Sequence, residues 1–327
     1  MCTAVTFTAK DFYFGRTLDY DRAYGEEVVV MPRRFPLRFR EMGKQEQHYA
    51  IIGMAHVAEG VPLYYDGVNE RGLAMAGLNF EGYAEYKPKM PGKDNVASFE
   101  FVSWILCRCA TVADARIVLE RINLTNEAFS EALLPTGLHW IIADRQEAVT
   151  VEQTGEGLRV YPNPVGVLTN NPPFVTQMLH LHNFMNLSAG EPENRFSEKL
   201  DLRPYSRGMG ALGLPGDLSS QSRFVRAAFM KLNSRSGPGE EESVGQFFHI
   251  LDSVAQPRGC CRVEDGYEVT QYASCCNADR GIYYYTTYEN RSITAVDMHR
   301  EDLEGTQLRC YPLTRKEQIF FQNQISR

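Results

Sequence analysis

The sequence predicts an α+β sandwich, with helices outside two stacked antiparallel sheets. Three features predict it: short apolar runs joined by tight turns fill the N-terminal third, two separate pairs of helix-like segments interrupt the strands, and the order sheet, helix pair, sheet, helix pair, sheet lacks regular βαβ alternation. No internal repeat appears. With 327 residues, 43% of them hydrophobic, the chain can bury a substantial core. No Gly-, Ser- or Pro-rich linker divides it, so one domain over residues 1–327 is expected.

The first strands are Cys2 to Ala9, Phe12 to Tyr20, Glu26 to Pro32, Tyr49 to Val57, Leu63 to Val68 and Leu73 to Phe80, the last two joined by the turn Asn69, Glu70, Arg71, Gly72. Two helices follow. Ser98 to Cys109 is apolar with a Ser cap; Thr111 to Ile122 opens on Thr111 and Asp114 and spaces Val112, Ala115, Val118, Leu119 and Ile122 at helical intervals. Short strands return between Leu138 and Leu168, around turns at Asp144 and Arg145, at Gly155 to Gly157 and at Pro162 to Pro164. Asn170 to Gly216 is rich in Pro, Asn and Gly and reads as loop with room for a short helix. Arg223 to Asn233 and Ser243 to Ala255 are amphipathic helices. The chain ends in strands at Glu268 to Ser274, Gly281 to Tyr288, Ser292 to Met298 and Gln307 to Tyr311.

A formal net charge of -7, with Lys and Arg scattered along the chain, opposes binding to a phosphate backbone, so nucleic acid is not an expected partner. No stretch reaches the roughly 18 to 20 apolar residues that cross a bilayer, and Lys10, Asp11 and Arg16 stand where a signal peptide would be apolar. Membrane insertion is not expected, and a cytoplasmic location is. The eight cysteines would then be thiols.

Cys2 is the candidate for chemistry. An initiator Met before a small residue is normally trimmed, leaving one residue with both a thiol and a free α-amino group. The amine titrates near about 8 and the thiol near about 8.5, so the amine can take the thiol proton without a histidine. A small residue at a strand start is the plain alternative for Cys2. If Lys10 and Asp11 alone form the hairpin loop, Asp19 lies across from Cys2 and Arg16 across from Val5. Asp19 would then orient the α-amine, and Arg16 would hold the thiolate or the substrate carbonyl. A bulge at Gly15 would shift this register, and a surface ion pair is the plain alternative for the two charges.

Several motifs, in order along the chain, resemble the choloylglycine hydrolase family of bile salt hydrolases and penicillin V acylases. They are Met-Cys-Thr-Ala at the start, Phe14-Gly15-Arg16-Thr17-Leu18-Asp19, Gly77-Leu78-Asn79-Phe80, Leu168-Thr169-Asn170-Asn171-Pro172, Leu214 to Ser220 with Ser222-Arg223-Phe224, and Cys275-Cys276-Asn277. The resemblance implies a four-layer αββα N-terminal nucleophile fold, with Cys2 as nucleophile and its own amine as base. It also implies Asp19 on that amine, Arg16 beside the thiol, Asn79 and Asn170 as the oxyanion hole and Arg223 as added positive charge. Thr17 stands where many members carry Asn. Asn79, where penicillin V acylases tend to have Tyr, and the flanking Tyr65-Asp66 and Gly82-Tyr83-Ala84 resemble the bile salt branch, with glycine- or taurine-conjugated bile salts as substrates. Penicillin V or another N-acyl amide is the alternative. The resemblance further implies a homotetramer and no cofactor. A steroid needs apolar walls, for which Leu18, Val57, Phe129, Leu133, Leu134 and Leu138 are candidates, with a place in the core as the other reading. The stretch Tyr205 to Gly210 is where glycine or taurine preference is expected to be read.

Other signals carry less. Gly208, Gly210 and Gly213 spell GxGxxG, but Ser206 and Arg207 precede them where a buried strand should end and Pro215-Gly216 follows where a helix should begin. The doublets Cys260-Cys261 and Cys275-Cys276 lack zinc spacing, and His180 and His182 lack a carboxylate partner. There is no GxSxG elbow, and Tyr283 to Tyr285 reads as strand packing. A non-catalytic scaffold of the same fold is the remaining rival and would tolerate Cys2→Ser.

Overall fold

Period-2 apolar patterning builds two antiparallel sheets in the computed structural model, which describes residues 1–264 and 266–324. The smaller sheet runs Val167–Leu168, Cys2–Thr8, Phe12–Tyr20, Val269–Asn277, Ile282–Thr287, Asn290–Asp297. The larger runs Gly157–Pro162, Ala148–Thr154, Leu138–Ala143, Ala74–Asn79, Val61–Asn69, Ile51–Ala58, Glu27–Met31, Arg309–Pro312. Alternation then sorts side chains to opposite faces. Val28 and Val30 enter the core between the sheets with Ile52, Ala76 and Leu78, while Val29 and Met31 enter a second core beneath the helices Phe101–Arg108 and Val112–Leu119. The helices Ser220–Asn233 and Glu240–Asp252 cover the far face of the smaller sheet through Phe224, Ala227, Phe247 and Leu251. The layers are αββα, as expected. Among the described residues no helix is long and apolar enough to cross a membrane.

The elements follow the predicted order with shifted ends. The hydroxyl of Thr111 accepts from Asp114 N at 3.1 Å and Asp114 Oδ2 accepts from Thr111 N at 3.0 Å, a reciprocal cap that starts the second helix where the sequence placed it. That helix stops at Leu119, not Ile122, because Ile122–Thr125 leaves as a strand paired in parallel with Asp94–Ala97. Ser98 does not cap an α-helix; it opens a 3-10 turn, Ser98–Glu100, ahead of Phe101–Arg108. The expected short helix in the loop-rich stretch is Phe174–Leu181.

Phe12–Tyr20 and Val269–Asn277 are buried along nearly their whole length because sheet and helices cover both faces. Gly15 lets them meet: a Cβ there would sit 1.9 Å from the carbonyl oxygen of Ser274. Gly15→Ala should therefore force the strands apart and cost about 2–3 kcal/mol in urea unfolding. An unchanged midpoint would show that the strands have room to move.

Candidate active site

The hairpin that carries Cys2 is one residue out of the expected register. Three residues turn the chain, with Ala9 N donating to Asp11 O at 3.0 Å, so Cys2 pairs with Leu18 and Ala4 with Arg16. Asp19 instead falls opposite Met1, whose carbonyl accepts from Asp19 N at 2.8 Å. The shift assigns the side chains to faces. Directly paired residues share a face, so Cys2, Ala4, Arg16 and Leu18 look toward the larger sheet, while Thr3, Thr17 and Asp19 look toward the helix Ser220–Asn233.

On the sheet side, Arg16 is fully buried and bonded only to carbonyl oxygens: Nη1 donates to Gly77 O at 2.6 Å and Tyr65 O at 3.3 Å, and Nε to Thr17 O at 3.2 Å. Its Nη2 has no partner among the described residues. Burial opposes its charge, but Cys2, Tyr272, Asp66 and Asp19 outweigh that and raise its pKa further above the ordinary arginine value. Asp66 faces it from the larger sheet and accepts from Tyr283 at 2.6 Å, Tyr272 at 2.7 Å and Ser274 at 3.2 Å. Burial pushes the Asp66 carboxyl up, against the pull of Arg16 and these three hydroxyls.

On the helix side, Arg223 is also fully buried. It donates to Cys2 O and Leu218 O at 2.5 and 3.1 Å, to Thr3 Oγ1 at 2.6 Å and to Asn170 Oδ1 at 2.8 Å, and lies 4.0 Å from Asp19 Oδ2. Burial lowers its pKa, against Asp19, Cys2, Glu268 and Cys261. The Asp19 carboxylate accepts from the hydroxyls of Thr270 at 2.7 Å and Thr17 at 3.1 Å, so the threonine that departs from the family pattern has a partner.

Asn170 joins the two sides. The strand Val167–Leu168 runs beside Cys2–Thr8, which delivers Asn170 to Cys2. Cys2 N donates to Asn170 Oδ1 at 2.7 Å, and Asn170 Nδ2 donates to Asn79 O at 2.9 Å. Because Oδ1 takes two N–H groups, the amide orientation is fixed. Ser220 Oγ accepts Asn170 N at 2.8 Å and Gln177 Nε2 donates to Asn170 O. Asn79 offers its backbone here, since Phe80 N donates to Gly137 O on one edge and alternation turns the Asn79 N–H and C=O to the other, beyond the last Asp66–Ala76 pair. The Asn79 side chain goes elsewhere, its Oδ1 accepting from Glu81 N. With Met1 in place the Cys2 nitrogen is an amide, and the Met1 ammonium reaches Asp19 O and, at 3.2 Å, Glu268 Oε1.

Cys2, Arg16, Asn79, Asn170, Asp19 and Arg223 are thus linked at one place, whereas the candidate wall residues scatter. Leu18 shares the core that holds Cys2. Val57 and Leu138 pack against the second core, on the other face of the larger sheet. Phe129 stacks edge-on with Phe99 and beneath Arg40, Leu133 is half-buried, and Leu134 is 70% exposed. Cavities of about 690 and 890 Å³ open at Arg33, Arg71 and Arg108 and at Lys87, Arg116 and Gln153, and neither reaches Cys2. Sequence reasoning gave no site role to Asp66, Gln177, Ser220 or Thr270, although Asp66 and Ser220 stand in its motifs; a carboxylate inside the apolar run Leu63 to Val68 was the one physical signal.

A family model, linear amide C–N hydrolases, choloylglycine hydrolase family, matches residues 2–311. The chain belongs to that family. It is 52% identical to a bile salt hydrolase/transferase of Lactiplantibacillus plantarum over 99% of this chain and 100% of that one. It is 36% identical to a bile salt hydrolase/transferase of Clostridium perfringens over 95% of this chain and 96% of the relative. A crystal structure of a variant conjugated bile acid hydrolase from Clostridium perfringens superposes with a TM-score of 0.90 at 34% identity, covering 99% of this chain and 100% of that chain. Penicillin V acylase from Agrobacterium tumefaciens shares the fold, with a TM-score of 0.75 at 19% identity over 95% of this chain and 90% of that one. The fold is therefore that of the N-terminal nucleophile hydrolases, and the chain is an enzyme that hydrolyses linear amides.

Replacing Arg223 by Met keeps the volume and removes every donor, leaving Asp19 buried without a nearby cation on that face. Arg223→Met should lose about 3–5 kcal/mol of unfolding free energy. Calorimetry that finds the parental transition would show the guanidinium to be dispensable.

Proposed function

We propose that this enzyme, a single domain freed of Met1, hydrolyses the amide bond of glycine- or taurine-conjugated bile salts through a thioester on Cys2. What supports the reading is the convergence on the first strand residue of Arg16, the Asn79 backbone and the Asn170 amide, in a chain half-identical to a bile salt hydrolase over nearly its whole length. Once Met1 is gone, the Cys2 amine lies where the amide nitrogen now meets Asn170 Oδ1, and takes the thiol proton. The thiolate adds to the amide carbon, and Asn79 N–H and Asn170 Nδ2 receive the negative oxygen. Asp19, held by Thr17 and Thr270, and Arg223 set the field behind the amine; the fully buried Arg16 faces the sulfur.

The ammonium then protonates the departing glycine or taurine nitrogen, the C–N bond breaks and an acyl thioester remains. Water gives a proton to the amine and its hydroxide to the thioester carbon, releasing bile acid and restoring the thiol. Leu18, in the core that holds Cys2, supplies an apolar contact for the steroid, and Phe129, Leu133 and Leu134 are the further wall candidates, whereas Val57 and Leu138 belong to the second core. Membership of the family supports a homotetramer as its assembly.

Cys2→Ala should lower turnover of glycocholate and taurocholate by about 10³-fold or more while the protein stays folded by circular dichroism. N-terminal mass spectrometry should show Cys2 first in the active protein. Retained turnover in Cys2→Ala would remove the thiol from the chemistry, and penicillin V hydrolysed faster than either bile salt would move the enzyme to the acylase branch.

A further inference from the structure

Behind the two asparagines lies a buried pair that the chemistry above does not use. His139, on Leu138–Ala143, and Glu152, on Ala148–Thr154, are 0% and 1% exposed. The ring Nδ1 is 3.1 Å from Glu152 Oε1, and Nε2 is 2.8 Å from the backbone oxygen of Thr169. A carbonyl oxygen only accepts. Oε1 also accepts Phe174 N at 2.8 Å, and Oε2 has no partner among the described residues to receive a proton placed on it. Both ring nitrogens therefore sit against oxygens, and one proton lies between Nδ1 and Oε1 while another on Nε2 meets the Thr169 carbonyl.

The pair touches both halves of the oxyanion site. Thr169 precedes Asn170, and Phe174 starts the helix after the cis Asn171–Pro172 bond, so the loop bearing Asn170 is tied at both ends to His139 and Glu152. On the other side the ring lies flat on Phe80, with centroids 4.3 Å and planes 6° apart, and His139 pairs with Leu78 in the ladder that ends at Asn79. Tyr161, on the strand beyond Glu152, is the titratable group that feels this carboxylate from that side.

We propose that the hydrogen-bonded His139–Glu152 pair positions the Asn170 loop against the strand end that presents Asn79, so that the two N–H donors meet one oxygen. This rests on the reading of those asparagines as the oxyanion site. Without the Glu152 carboxyl the ring cannot hold Thr169 while the same side chain holds Phe174, and the loop loses one of its ties. His139 and Glu152 touch no substrate; they act through Thr169, Phe174 and Phe80.

Glu152→Gln tests this, since its amide can accept from Phe174 N or donate to the ring but cannot hold Phe174 and a ring that keeps Thr169 at once. Turnover number on glycocholate should fall roughly 10- to 100-fold with KM within about twofold. Parental turnover, or a change confined to KM, would overturn the proposal. If the variant fails to fold, neutron diffraction from deuterium-exchanged wild-type crystals decides: deuterium between Nδ1 of His139 and Oε1 of Glu152 and on Nε2 toward Thr169 is expected, and either position bare overturns it. Cys2→Ala measured alongside separates the two readings, because an active Cys2→Ala removes the thiol mechanism whereas an inactive Cys2→Ala beside a fully active Glu152→Gln removes only the positioning role.

Discussion

Arg16 reaches from the smaller sheet to the carbonyl oxygens of Gly77 and Tyr65 in the larger one, and Asp66 of the larger sheet accepts from Tyr272, Ser274 and Tyr283 of the smaller. These reciprocal links lie in an otherwise apolar interface, where an unpaired charge costs several kcal/mol. Carbonyl dipoles hold Nη1 and Nε of Arg16 and hydroxyls hold Asp66, and the two charges compensate one another without a direct salt bridge. That arrangement matters to Cys2. An arginine bonded to neutral carbonyls keeps more of its field for a nearby sulfur than one neutralised by a carboxylate in contact, and the Asp66 hydroxyl shell keeps the carboxylate turned toward its tyrosines.

A second charged layer lies on the opposite face of the same two strands, where Arg223 and Asp19 sit under the helix Ser220–Asn233. The strand pair therefore separates the groups facing the sulfur from those facing the backbone and amine of Cys2. A residue at a strand start can serve both, because its side chain points to one face while its main chain lies in the sheet plane. An internal cysteine would have its nitrogen committed to a peptide bond, so the chemistry and the strand end belong together.

The fold class and the strand order by local connection were legible because they depend on short-range pattern, and the gathering of Cys2, Arg16, Asp19, Asn79, Asn170 and Arg223 because their motifs stay in sequence order. Long-range pairings were not. Nothing in the residues of Phe12–Tyr20 says that its second neighbour is Val269–Asn277, some 250 positions away, or that Arg309–Pro312 returns to Glu27–Met31. The hairpin register was misread because a third turn residue, Ala9, is apolar and looks like strand. Val57 and Leu138 look like cleft walls in sequence and pack as outer core, since an apolar residue in a β-strand reads the same on either face. The roles of Asp66 and of the His139–Glu152 pair were hidden for the opposite reason: their partners lie on other strands, and a polar residue inside an apolar run discloses no partner.

The corrected register bears on function more than a one-residue shift suggests. With side chains alternating along a strand, the expected pairing would have placed Cys2 and Asp19 on one face and Arg16 on the other, gathering the carboxylate around the sulfur and sending the cation toward the helices. The observed pairing reverses this and gives the sulfur the arginine. Slippage is opposed at two places: Gly15, where contact with Ser274 leaves no room for another side chain, and Ala4, whose pairing with both Arg16 and Leu168 locks the strand on either edge. Both lie within the strands that deliver Cys2 and Asn170. The residues that fix the ladder therefore also decide which charge the Cys2 sulfur meets, and a change that preserved every side chain of the site but moved the hairpin by one position would leave the thiol beside a carboxylate.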